Sequence, residues 1–257
     1  MEEPEPKTKQ EDIKDTDSLL SYLQNPAGGF RSAYHYTSLE ALYQICSNKT
    51  LRFSRMKKMN DNFEQELFCT NRDFFFCLSI GGDDEKDNFG LWAMYGKLNV
   101  KKSNKAEDIG VKIYFSSDAL KQICKENEKL SIHRVAYTDL IDNYDKPTNR
   151  KIYVGSHSTE INDFDKDKYS GFIKDVAWRY ENEMRLRLPF SNERITDDMK
   201  DIKIPDKILS SLKVYPSPVY GLDEVKEIFR ERCGGKDIHV NFRENIYRNS
   251  LSLKDKN

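Results

Sequence analysis

Residues 33–54, AYHYTSLEALYQICSNKTLRFS, decide the fold class. Tyr34-His35-Tyr36 reads as a short strand. Thr37 is a good helix N-cap, and Glu40 follows at the capping-box spacing. Leu39, Leu42, Tyr43 and Cys46 fall on one helical face, and Asn48 is a natural stop. Leu51 and Phe53 then alternate with Arg52 and Ser54, which predicts a second strand. A strand, a capped helix and a strand within 22 residues point to a mixed α/β organisation.

Working outward, residues 1–16 hold almost no apolar side chain and are expected to be a disordered tail. Leu19, Leu20, Tyr22 and Leu23 predict a short helix ended by Gly28-Gly29. Phe74–Ile80 (FFFCLSI) is an unbroken apolar run, expected of a strand buried on both faces. Leu91–Tyr95 predicts a helical turn or two, and Val111, Ile113 and Phe115 a strand. Ser117 should cap a helix bearing Leu120 and Ile123, and a further strand takes Ile132, Val135 and Tyr137. From Thr138 to Asp167 the chain is polar and weakly patterned, the composition of a long lid or binding loop. Tyr169, Phe172, Ile173, Val176 and Ala177 have helical spacing. Met184, Leu186 and Leu188 alternate with Glu183, Arg185 and Arg187, as in a half-buried strand. IKIP, a short helix, VYPSPVY, a helix near 222–232, a strand at IHV and a polar tail complete the chain. The expected fold is a mixed α+β domain over residues 17–250, with a split central sheet flanked by helices and a flexible tail at 251–257.

Composition limits the function classes. Apolar residues are 37% and charged residues 33% of 257, and the formal net charge is −1. No global charge excess favours nucleic acid or an anionic membrane. The five cysteines are odd in number and form no Cys-x-x-Cys, which implies reduced thiols and a cytoplasmic setting. No signal-peptide core and no membrane-length apolar stretch is present. No Walker loop, dinucleotide glycine motif, nucleophile elbow or zinc spacing occurs.

The residues able to carry chemistry each have two readings. His35 is a sheet histidine or a ligand-binding imidazole at a strand edge. Asp61 and Glu64 form a second capping box or a metal or hydroxyl site. Trp92 and Tyr95 share a helical face, as core or as a stacking wall. On a strand, Glu181, Glu183, Arg185 and Arg187 would share one face, either solvated or holding a carboxylate ready for a sugar hydroxyl or a proton. Lys57-Lys58 and Lys101-Lys102 read as loop charges.

Taken in order, these residues resemble the bacterial domain-of-unknown-function family 2971. The pattern is spelled by Tyr34-His35-Tyr36-Thr37, Ile45, Asn60-Asp61, Glu64, Phe76–Ile80, Leu91-Trp92, Tyr95 and Gly110-Val111. Lys174, Trp178, Tyr180-Glu181, Glu183 and Arg185 complete it. His35-x-Thr37, a helix ending near an apolar Ile45 and a late strand glutamate are also similar to ADP-ribosyltransferase folds. Glu181-x-Glu183 is similar to the Glu-x-Glu of the arginine-modifying branch.

That resemblance implies loss of nicotinamide from NAD through an oxocarbenium-like transition state. It makes Glu183 and Glu181 the catalytic pair. Glu183 would meet the developing charge, and Glu181 would orient an acceptor, protein or nucleic acid. His35, Tyr36, Thr37, Trp92, Tyr95 and Arg185 would contact NAD. His35 would hold a ribose hydroxyl, Thr37 would position the nicotinamide half, and Trp92 or Tyr95 would stack on it. Many such transferases have Gly where this chain has Tyr36. By association, the role would be a toxin or a phage-defence effector, with a partner protein in such a system. Two other readings stay open: a non-catalytic nucleotide- or protein-binding module, and a metal-dependent hydrolase or nuclease built from Asp61, Glu64, Glu181 and Glu183.

Overall fold

The computed structural model describes residues 13, 15–24, 30–68, 70–81, 88–97, 102–140, 150–155, 157–162, 166–190 and 197–245. Along the chain run α1 (Thr16–Gln24), β1 (Ser32–Ser38), α2 (Leu39–Asn48), β2 (Thr50–Arg55), α3 (Asn62–Leu67), β3 (Phe74–Gly81) and α4 (Phe89–Met94). They continue with β4 (Gly110–Ser116), α5 (Ser117–Glu126), β5 (Ser131–Arg134), β6 (Ala136–Thr138), β7 (Arg150–Val154), β8 (His157–Ile161), β9 (Ile173–Asp175) and β10 (Glu183–Leu188). The last are β11 (Met199–Lys203), α6 (Asp206–Ser211), β12 (Lys213–Pro216), α7 (Leu222–Cys233) and β13 (Asn241–Phe242). The fold is mixed α+β, with open sheets of mixed strand direction and flanking helices. Among the described residues no helix is long and apolar enough to cross a membrane.

The chain divides into two compact units, each assembled from three separate segments. The first takes residues 1–30, 53–80 and 124–200. The second takes residues 31–52, 81–123 and 201–257.

In the first unit β10 lies between β3 and β5, antiparallel to both, with Arg185 opposite Cys77 and His133. A second sheet has the order β8-β7-β6-β9, antiparallel except for the β6–β9 pair. One face of that sheet, carrying Ala136, Ile152, Val154, Ile161 and Ile173, joins a core with Leu19, Leu23, Phe68 and Phe172. In the second unit β1, β4 and β12 are antiparallel neighbours, and β13 joins β12 in parallel. There α2 and α7 are linked by Arg232, whose guanidinium donates to Glu40 at 2.5 and 2.7 Å.

Several expectations are corrected. Ser38, not Thr37, caps α2: its side chain accepts from the Ala41 amide, and Thr37 stays in the strand. At α5 the shift runs the other way: Ser116, not Ser117, accepts from the Ala119 amide. The helix expected over Tyr169–Ala177 does not form. Gly171 adopts φ +85, a left-handed conformation that breaks a right-handed helix, and β9 and a 3-10 turn over Val176–Glu181 follow. The expected loop at 138–167 contains the β7–β8 hairpin, while 141–149, 156 and 163–165 lie outside the described residues. β13 falls at Asn241–Phe242 rather than at IHV. Ile13 is buried and Thr16 opens α1, so ordered chain begins before residue 17. Gly28-Gly29, residues 1–12 and 246–257 lie outside the described residues.

Candidate functional site

β10 carries two charged side chains into the interior of the first unit. Glu183 is 5% exposed and Arg185 is fully buried. A bare charge there would carry a prohibitive desolvation cost, so each must be paired and hydrogen-bonded. The guanidinium of Arg185 meets this by donating on three sides. Nη1 and Nη2 donate to the two carboxylate oxygens of Glu64 at 2.6 and 3.0 Å. Nε and Nη2 donate to those of Glu183 at 2.7 and 3.2 Å. Nη1 also donates to the Gly171 carbonyl at 2.9 Å.

The supporting elements follow from local sequence. Asp61 caps α3, accepting from the Phe63 and Glu64 amides at 2.9 and 3.1 Å, as its capping reading predicts. Glu64 does not complete a capping box. Its carboxylate turns inward to Arg185 instead. Gly171 is required twice over, by its positive φ and because a Cβ there would press on the Phe75 ring at 2.6 Å.

Glu181 and Glu183 meet at Lys174. Lys174 Nζ donates to Glu181 at 2.6 Å and to Glu183 at 3.2 Å. The expectation that Glu181 shares a strand face with Glu183 is corrected. Glu181 ends the 3-10 turn, and Asn182 at φ 43 reverses the chain so that the two carboxylates straddle it. The reversal is pinned to β3: Ile80 donates its amide to the Asn182 carbonyl at 2.9 Å, and Ser79 Oγ donates to the Glu181 carbonyl at 2.6 Å. The Glu183 amide donates to Tyr137 Oη at 2.6 Å.

Burial opposes ionisation of Glu183, but Arg185 and Lys174 outweigh it and hold the carboxyl well below the usual range. Burial pushes Glu64 the other way, more than Arg185 offsets, so Glu64 is the carboxyl raised within the cluster. Burial works against the Lys174 charge, yet Glu183 and Glu181 keep it protonated. Burial and Glu183 both raise the Cys77 thiol and the Tyr137 hydroxyl, so both stay neutral. The result is a buried set of three carboxylates and two ammonium or guanidinium groups, in which Glu183, Lys174 and Arg185 are held charged.

Arg185 was expected to contact NAD. It is instead fully buried and donates to Glu64, Glu183 and the Gly171 carbonyl. The carboxylates expected of a metal site do converge in part: Glu64, Glu181 and Glu183 come together, but on cations. Among the described residues no group of three or more His, Cys, Asp or Glu is placed to hold a metal ion.

The remaining predicted residues belong to the second unit. His35, Tyr36 and Thr37 are half-buried on β1, opposite Ile113, Lys112 and Val111. Trp92 is fully buried and meets the Tyr36 ring edge-on at 5.0 Å. A ring with no exposed face cannot stack on a ligand, so the expected Trp92 wall is corrected to core. Its indole Nε1 is buried without a hydrogen-bond partner. Tyr95 is half-buried at the C-cap of α4.

Residues 91–186 match the family described as Protein of unknown function (DUF2971). The matched span begins at Leu91 and includes Lys174, Glu181, Glu183 and Arg185, while Glu64 and His35 precede it. No curated protein and no solved structure matches the chain. The partners of Arg185 and the role of Lys174 could not be read from the sequence one residue at a time. Lys174 lies in the matched span, but its two carboxylates are visible only once Asn182 turns the chain.

Proposed function

We propose that the protein is an ADP-ribosyltransferase-like enzyme that breaks the nicotinamide–ribose bond of NAD and passes ADP-ribose to a macromolecular acceptor. The observation that carries this reading is Glu183, a carboxylate held ionised at the start of β10 by Arg185 and Lys174. A fixed negative charge in a low-dielectric setting stabilises positive charge developing on a ribose ring far better than a solvated one does. Glu181, on the other side of Lys174, is the residue for the acceptor. His35 and Thr37 support the reading through the His-x-Thr order. The cytoplasmic setting and a defence or toxin role go with it.

The test is nicotinamide release from NAD, measured by chromatography with protein and nucleic-acid acceptors. Wild type should turn NAD over and Glu183→Gln should not. His35→Ala, outside the charge cluster, should lower turnover with folding intact by circular dichroism. Equal turnover in wild type and a folded Glu183→Gln overturns the reading.

A second reading, a non-catalytic nucleotide- or protein-binding module, is favoured by one observation: both oxygens of Glu183 already accept from Arg185 or Lys174. Calorimetric binding of NAD without turnover would select it.

A further inference from the structure

The second sheet of the first unit has a second face, turned from the core of Leu19, Leu23, Phe68 and Phe172; it is buried at Tyr137 and Lys174 and half-open at Tyr153. Strand alternation places Lys151 and Tyr153 of β7, Tyr137 of β6 and Lys174 of β9 on it, with Tyr137 paired to both Tyr153 and Lys174. The 3-10 turn Val176–Glu181 crosses this face and sets aromatic rings against cations. Arg179 Cζ lies 4.5 Å from the Tyr153 ring, and Lys151 Nζ lies 5.5 Å from the same ring. Lys174 Nζ lies 4.7 Å from Trp178, whose ring is 6.1 Å from that of Tyr180 at a tilt of 32°. Tyr180 is 41% exposed, and Trp178, Arg179 and Tyr153 are half-buried.

The charges at this face are unevenly matched. Lys174 is consumed by Glu181 and Glu183. Arg179 gives Nε and Nη2 to the Gly155 carbonyl, at 3.3 and 2.9 Å, and donates from Nη1 to no described residue. Arg134 reaches the same corner, with Nη1 3.8 Å from where a Gly155 Cβ would lie, and its Nε is buried without a partner. Among the described residues, no carboxylate forms an ion pair with Arg134, Arg179 or Lys151. The acidic residue in register with Lys151 is Glu160 on β8. Two guanidinium groups without a carboxylate meet at Gly155, Arg179 over the half-open Tyr153 ring and Arg134 over the buried Tyr22 ring, and with Trp178 and Tyr180 nearby they match a ligand that alternates phosphate with planar rings.

We propose that this face docks single-stranded nucleic acid, with bases on Tyr180 and Trp178 and backbone phosphate at Arg179 and Arg134. The net charge of −1 does not oppose this, because the attraction is local to one corner. The proposal goes beyond the NAD reading and does not depend on it.

Titration of the full chain with oligo-dT and oligo-U, followed by Trp fluorescence and by anisotropy of a labelled strand, tests it. The chain has two tryptophans, and Trp92 is fully buried, so base stacking should quench Trp178. Trp178→Phe should abolish the quench. Tyr180→Ala should weaken binding about ten-fold or more, the usual effect of losing one stacked base. Arg134→Ala/Arg179→Ala should weaken binding and flatten the slope of log affinity against log salt by roughly 0.7 for each phosphate no longer neutralised. Wild-type circular dichroism in each variant confirms folding. No binding at low salt, binding unchanged in the folded variants, or equal binding to heparin without a Trp178 quench each overturns the proposal. NAD turnover without oligonucleotide binding would separate the two readings.

Discussion

Arg185 grips Glu64 through two parallel hydrogen bonds of 2.6 and 3.0 Å, and neither side chain is more than 1% exposed. Buried pairs of this kind add little net stability over an apolar filling, but removing one partner strands the other. Arg185→Met should therefore cost about 3–5 kcal/mol, because it leaves Glu64 and one side of Glu183 without a cation. Arg185→Lys should also destabilise, since an ammonium cannot span Glu64, Glu183 and the Gly171 carbonyl together. Urea denaturation followed by circular dichroism measures both. In the double variant with Glu64→Gln, the loss should fall short of the sum of the single losses by about 1 kcal/mol or more.

Acid sensitivity should reside in His133. Its imidazole is buried against Phe172 at 4.4 Å, with Nε2 2.6 Å from Ser131 Oγ and Nδ1 without a partner. Burial, aided by Arg187 and opposed by Asp73, lowers its pKa from 6.5 to about 4. Folding thus favours the neutral ring. The stability it protects is complete above pH 6.5 and is lost as the pH falls toward 4, by about 2 kcal/mol at pH 5. Melting temperatures at pH 7.5 and 5 should differ less in His133→Gln than in wild type. An equal drop in both would contradict the assignment.

Two glycines should respond in opposite degree. A Cβ on Gly110 would overlap the backbone carbonyl of Gly96, which has no flexible end to move. Gly110→Ala should cost at least about 1–3 kcal/mol, as overpacking does. Gly234, the C-cap of α7, has φ +59 and open space around it, so Gly234→Ala should cost only about 1 kcal/mol of backbone strain. Paired thermal melts decide this.

Thiol chemistry should be slow in the native state even where thiols are partly accessible. Burial pushes Cys46 up to about 12 and Cys124 up to about 11, and it raises Cys77 as well. The thiolate is the reacting form. At pH 8 iodoacetamide should label these cysteines on the order of a hundred-fold more slowly than free cysteine, and fully after guanidinium unfolding. Peptide mass spectrometry reads the difference at each position.

Strands were legible where burial leaves an unbroken or alternating apolar record, as in Phe74–Ile80 and Met184–Leu188. The false helix over Tyr169–Ala177 had real 3.6-residue spacing, and the contrary signal was Gly171. The β7–β8 hairpin was legible in principle: Ile152, Val154, Thr159 and Ile161 alternate with Lys151, Tyr153, Ser158 and Glu160, but the polar half masked the period. For the site, Glu181, Glu183 and Arg185 stood out by local pattern. Glu64 also stood out, beside Asp61, but its pairing with Arg185 was not legible, because it spans 121 positions. For Trp92 the core and stacking readings both stayed open, because spacing along a helix does not say which face meets solvent.

The interleaving of the two units governs how the chain can be shortened. Residues 91–186, the stretch shared with the family, open inside one unit and close inside the other. Cut out alone, that stretch would keep Arg185 and Glu183 while discarding Glu64, the second carboxylate on Arg185, and β3, the strand paired with β10. Minimal fragments drawn along the family boundary should therefore be insoluble, and any truncation that preserves the charge cluster must retain residues on both sides of that boundary.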